Sequence, residues 1–269
     1  MTRLYLLLPL VGVGMLCTAQ TADNYDGDVL NAYFGHQLEM IPVTPGFTPP
    51  VASRALGYTG LCAYESVVHG IPTMNSFEGI IPQLAGLPQP DTDETYHWGV
   101  VANHAMYVLT AGLYNNASTE NLNVLSDLRD SFDAEYAAGT LAEVMTASAT
   151  YGESIGSAML AYANLDGAEN CQLTNFPAEY IPPTGPGLWA PLSGQMALQP
   201  YWGDKRCFVV EYADLSMIAP EPPSYSDEVG SDLYQEALAV YDAVNNLTPE
   251  QAIIAEYWAD GGGTVTPPG

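Results

Sequence analysis

Residues 94–114 read ETYHWGVVANHAMYVLTAGLY, a stretch far longer than a strand whose apolar residues recur at helical spacing. The segments 119–138 and 140–164 carry the same periodicity, and three helices in series imply a bundle core. Upstream, 26–41 places apolar residues at 29, 30, 33, 34, 38 and 41, one face of a further helix. Pro42, Pro45, Pro49 and Pro50 then predict an extended linker, because proline fixes its own φ and keeps its predecessor out of the helical region. Residues 51–68, VASRALGYTGLCAYESVV, read as a second helix closed by His69-Gly70, rich in small residues that let neighbours approach. The segment 75–93, with Pro82, Pro88 and Pro90, reads as a loop lying on the helices. The fold class expected is all-α, a helical bundle.

The character changes over 171–223, where Pro, Gly and aromatic residues dominate, as in PPTGPGLW at 182–189 and PYWG at 200–203. This predicts a long loop region, with 207–210 at most a short strand. Helices resume at 226–245 and 248–260. The second opens with Thr248 as cap, Pro249 at the first helical position and Gln251 at the third, which spells a capping box.

The chain has 269 residues, with 5 Lys and Arg against 31 Asp and Glu and a formal charge of −26. Phosphate-backbone binding needs clustered cations, so nucleic acid is excluded as a partner, and so is an anionic membrane surface. Disorder is excluded too, because 48% of the residues are hydrophobic and only 13% are charged. The N-terminus, Arg3 followed by an apolar run from Leu4 to Leu16 and Cys17-Thr18-Ala19, matches a secretory signal cleaved after Ala19, too short for a membrane span. The expectation is an exported protein with a 1–19 leader, a single helical domain over 20–269 and no membrane insertion after cleavage. Beyond the leader, Cys62 sits in a helical pattern as a buried thiol, and Cys171 and Cys207 are either bridged or free.

Few residues carry chemistry. Glu94 and His97 form one Glu-x-x-His unit, whereas carboxylate-bridged metal bundles use two; His36, His69 and His104 follow Tyr33, Ser66 and Val101 at that spacing. Core or surface packing is the commoner fate of such histidines. No G-x-S-x-G is present, no C-x-x-C, and Gly261-Gly262-Gly263 follows a helix where a phosphate cradle would open one. Paired carboxylates carry no information in so acidic a chain. Trp189 and Trp202 either stack on sugar rings, as in a secreted glycan binder, or cap the core.

Three segments, PPVASRALGYTGLCAYESVVHGIP at 49–72, PYWGDKRCFVV at 200–210 and LTPEQAIIAEYWADGGGTVTPPG at 247–269, resemble the N-terminal half of bacterial vanadium-dependent haloperoxidase-like proteins of the type 2 phosphatidic acid phosphatase superfamily. The resemblance implies a helical N-terminal half followed by a helical catalytic half that binds vanadate or phosphate through cations, backbone amides and a histidine. The motifs of that second half are absent from the sequence: Lys205 has Tyr212 where Arg is needed, Pro191-Leu192-Ser193-Gly194-Gln195 lacks the histidine, and Ser53-Arg54 is followed by Tyr58 and Gly60 where Gly and His belong. No catalytic, cofactor or metal residue is therefore assigned. Vanadate is expected only in a full-length relative, and the partner expected is the missing catalytic half, in cis or as a separate chain. The alternative is a free-standing secreted helical binding protein.

Overall fold

The computed structural model describes residues 21–192, 194–209 and 220–258, so the expected 1–19 leader, the 210 end of the expected short strand and the last eleven residues of the sequence lie outside the described residues. Helix α1 spans Asp28–Met40, α2 Pro49–Val67, α3 Trp98–Leu113, α4 Thr119–Ala137, α5 Ala142–Asn164, α6 Asp232–Asn245 and α7 Pro249–Tyr257. No strand occurs among the described residues, and the molecule is all-α.

Helix α3 is the axis of the bundle. It buries residues on every side, including Trp98, Val101, His104, Met106, Leu109 and Leu113, and α5, α2, α4 and α1 surround it. The most extensive packing is with α5, and glycine makes it possible. A Cβ at Gly156 would lie 2.6 Å from the Ala105 carbonyl oxygen, and one at Gly152 would overlap the Val101 carbonyl oxygen. Helix α2 also packs on α3, with the Cys62 thiol donating to the Ala105 carbonyl at 3.6 Å, and its Gly57 receives the ring of Phe208.

Two expectations need correction. Pro49 and Pro50 open α2 as its first residues and do not belong to a linker, because proline's fixed φ suits the first turn and its missing N–H would be unsatisfied there anyway. Helix α3 starts at Trp98, with His97 as a non-helical cap whose Nδ1 accepts the Val100 N–H at 3.2 Å. Glu94 therefore does not share a helix face with His97, and the Glu-x-x-His unit dissolves.

The 75–93 loop lies on the bundle as expected, burying Ile81, Leu84 and Leu87. Its anchor is the buried Glu65 carboxylate, which accepts the Ser76 hydroxyl at 2.7 Å and the Phe77 N–H at 2.8 Å. The 171–209 region is a loop pinned at two points. Gln199 donates its amide to the Cys171 carbonyl and to Asn175 Oδ1, both at 2.9 Å, and Asn175 donates to the Gly46 carbonyl at 2.8 Å. Cys171 is buried, Cys207 is exposed, and both are free thiols, as is the buried Cys62.

Helices α6 and α7 have no buried residue. The capping box at Thr248 and Gln251 is formed as the sequence spells it, and Ser231 caps α6 by accepting the Tyr234 N–H. Their apolar residues stand in solvent, among them Val240, Tyr241, Val244, Ile253, Ile254 and Tyr257. None of the described helices is long and apolar enough to cross a membrane.

Candidate functional site

Beyond Arg3 the cations of the chain are Arg54, Arg129, Lys205 and Arg206. Three of them gather at one place, where the end of α5, the middle of α2 and the 203–208 segment meet. At the centre is Asp166, just past α5. It takes Arg54 bidentately, Nε to Oδ2 at 2.7 Å and Nη2 to Oδ1 at 3.3 Å, together with the Tyr58 hydroxyl at 2.9 Å and the Ala168 N–H at 2.7 Å. Both side chains of the ion pair are below 10% exposed, so a partner left alone would face an uncompensated buried charge. Burial first, and then the Asp166 charge, push the Tyr58 phenol above its ordinary pKa against the pull of Arg206, which keeps it a proton donor to Asp166.

Arg206 is held without a carboxylate. Its Nη2 donates to the Tyr58 hydroxyl at 3.0 Å and the Tyr162 carbonyl at 2.7 Å, and its guanidinium lies 3.7 Å from the centre of the Tyr162 ring. The Arg206 N–H donates to the Asp166 carbonyl at 3.0 Å, and Phe208 packs against Tyr58 with ring centres 4.7 Å apart and planes tilted by 45°. Two of the three segments quoted above, 49–72 and 200–210, thus meet through Tyr58, Arg206 and Phe208. Outside this knot opens a cleft of about 650 Å³, lined among others by Pro82, Leu165, Gly167, Asp204, Lys205 and Arg206.

A second polar network ties α3 to its neighbours. His104 bonds Asp133 Oδ2 at 2.9 Å and Glu153 Oε1 at 3.2 Å. Asn103 donates to Asp133 at 3.0 Å and accepts the Tyr33 hydroxyl at 3.0 Å. Burial alone would lower the His104 pKa, but the hydrogen bonds and charges of Asp133 and Glu153 outweigh it and raise it. Burial opposes the ionised form of Asp133 as well, yet His104 and Asn103 hold its pKa below the ordinary value. The arrangement is an ion pair stitching α3, α4 and α5. His97 goes the other way: burial lowers its pKa, as suits a cap that accepts a proton bond.

The remaining sequence candidates are dispersed. His36 bonds the Asn121 carbonyl at 3.0 Å and joins α1 to α4, while His69 is exposed at the end of α2. Among the described residues no cluster of three His, Cys, Asp or Glu side chains is set to hold a metal. Trp202 packs partly buried against the core, whereas Trp189 is 52% exposed. The cationic knot does not fit vanadate. Arg54 is consumed by Asp166, and none of the histidines lines the cleft to serve as the covalent ligand. Arg54 and Tyr58 enter the sequence reading only through an unfulfilled motif, and Asp166 and Tyr162 carry no sequence signal of their own. The scarcity of cations was the available signal, since in so acidic a chain each one marks a place of consequence.

No family model matches the sequence, and no curated protein matches it either. A solved structure does, described as the crystal structure of the first bacterial vanadium-dependent iodoperoxidase. It aligns with a TM-score of 0.67 and 28% identity over 88% of this chain. The fold is haloperoxidase-like. The match takes in 56% of the iodoperoxidase chain, so this sequence spans little more than half of that relative.

Proposed function

We propose that this chain is the helical N-terminal portion of an exported haloperoxidase-like enzyme whose oxyanion-binding half lies outside these 269 residues, and that alone it carries no haloperoxidase or phosphatase activity. The observation that carries the reading is the apolar surface of α6 and α7, two helices that bury no residue and so leave a face for a second helical half to cover. The match to only part of the iodoperoxidase supports it. On this reading the chain is a scaffold: α1–α5 form a finished core, and α6–α7 present a face to the catalytic half, which would bring vanadate with it.

The test is to assay the purified chain for vanadate-dependent bromide and iodide oxidation and for phosphate-ester hydrolysis, and to sequence the source locus beyond the Gly269 codon. Absence of turnover with an in-frame continuation carrying the oxyanion motifs is the expected result; turnover by the chain itself overturns the reading. The exposure of Trp189 favours one rival, a secreted glycan binder. Saturable quenching of Trp fluorescence by oligosaccharides, lost in Trp189→Ala, would establish that rival instead.

A further inference from the structure

The geometry points to the cleft at Lys205 and Arg206 as a binding site for a small organic carboxylate with an apolar body, a role independent of any catalytic half. The volume of about 650 Å³ is that of a small-molecule site, which typically spans roughly 300–1,000 Å³. Charge is the first argument. In a chain with 31 acidic and 5 basic residues, every cation has carboxylates in ample supply. Arg54 and Arg129 use them, yet Lys205 and Arg206 have no carboxylate within 4.0 Å among the described residues. Both edge the same cleft.

Preorganisation is the second. Arg206 is fixed by neutral groups, the Tyr58 hydroxyl, the Tyr162 carbonyl and the Tyr162 ring, which orient its guanidinium without cancelling its charge. Gln83, at the rim, holds φ at +61°, a left-handed backbone that a non-glycine residue adopts at a cost and that recurs at ligand clamps. Its Oε1 sits 3.5 Å from Arg206 Nη1, leaving the amide to turn towards an incoming acceptor. Composition of the wall is the third. Pro82 and Leu165 offer an apolar surface beside the charges.

These features also define the ligand's charge. Asp166 already accepts four bonds and has no capacity for a further donor, and Asp204 adds a second negative charge at the edge. With Arg54 and Asp166 paired to each other, Lys205 and Arg206 set against Asp204 leave a surplus of one positive charge among the described lining residues. A monoanion is matched by that surplus and a dianion is over-charged for it. The recognition is of a charged head by Lys205 and Arg206 and of an apolar body by Pro82 and Leu165.

Cys207 supplies a local readout, because it is exposed and lines the cleft while Cys62 and Cys171 are buried. The purified full chain is treated with iodoacetamide across a benzoate titration, and alkylation at Cys207 is followed by peptide mass spectrometry. Alkylation is expected to slow hyperbolically, by about tenfold at ten times Kd. Lys205→Met, a change at a half-exposed side chain, should raise the half-protecting concentration about tenfold. Neutral benzamide should give no protection, and inorganic phosphate much less than benzoate. Absence of protection by benzoate, equal protection by benzamide, or protection by phosphate matching that by benzoate overturns the proposal.

Discussion

Helices α3 and α6 are similar in length, 16 and 14 residues, and both begin on a side-chain cap. Helix α3 buries residues all round and holds the bundle together, whereas α6 buries nothing and leaves Val240, Tyr241 and Val244 in solvent. The difference separates two things that a periodic sequence merges. Caps and propensity decide that a segment is helical; only a neighbour decides that it is core. An isolated helix of this length is marginal in water, so α6 and α7 lie at the low end of local stability until something covers them.

The largest effect that sharpens the contrast is at Asp166. Asp166→Ala strips Arg54 and Tyr58 of their partner and should lower the unfolding free energy by about 3–5 kcal/mol, read by urea denaturation. A loss below about 1 kcal/mol would mean that the knot is not part of the bundle's cohesion. Next comes Gly152→Ala, which drives a methyl into the Val101 backbone and should cost about 1–3 kcal/mol. Gly112→Ala, which meets the Leu160 side chain and no backbone, should cost less in the same assay.

A smaller effect depends on pH. The raised His104 pKa means that its contribution is complete below the unfolded value of about 6.5 and is lost as pH rises through its folded value. The lowered Asp133 pKa means that its share is present above about 3.9 and lost as pH falls. The destabilisation caused by His104→Gln should therefore be greatest between about pH 4 and 6.5 and shrink towards pH 8.5. His97, with its lowered pKa, works in the opposite sense, and subtracting wild type from variant removes it. The smallest effect is on the other side of the comparison. Ending the chain after Tyr225 should leave the bundle's unfolding free energy within about 0.5 kcal/mol, while amide exchange in α6 and α7 of the intact chain should be fast. A larger loss would make those helices part of the bundle.

The bundle was legible in the sequence because its helices are long and periodic, and the α7 start was legible because a capping box is written in adjacent residues. What escaped depends on distance along the chain. Glu65 reads as one more acid on a helix, and its partners Ser76 and Phe77 lie in a loop eleven and twelve residues on. Asp166 followed by Gly167 reads as a helix stop, and its counter-ion Arg54 is 112 positions away. Pro49 and Pro50 read as linker yet open α2, because proline clusters suit linkers and helix starts alike. The exposure of α6 and α7 was invisible for the complementary reason: an amphipathic pattern announces a buried face and is silent on what buries it.

The position of α3 fixes when this molecule can become folded as it emerges from a ribosome or a translocation pore. Its sides are covered by α1 and α2, made before it, and by α4 and α5, made after it. A nascent chain that has delivered residue 113 holds an apolar cylinder with half its wall missing, and closure waits until Gly152 and Gly156 arrive. The segment 98–113 is thus covered on all sides only when α5 is complete, and the bundle closes no earlier than residue 164.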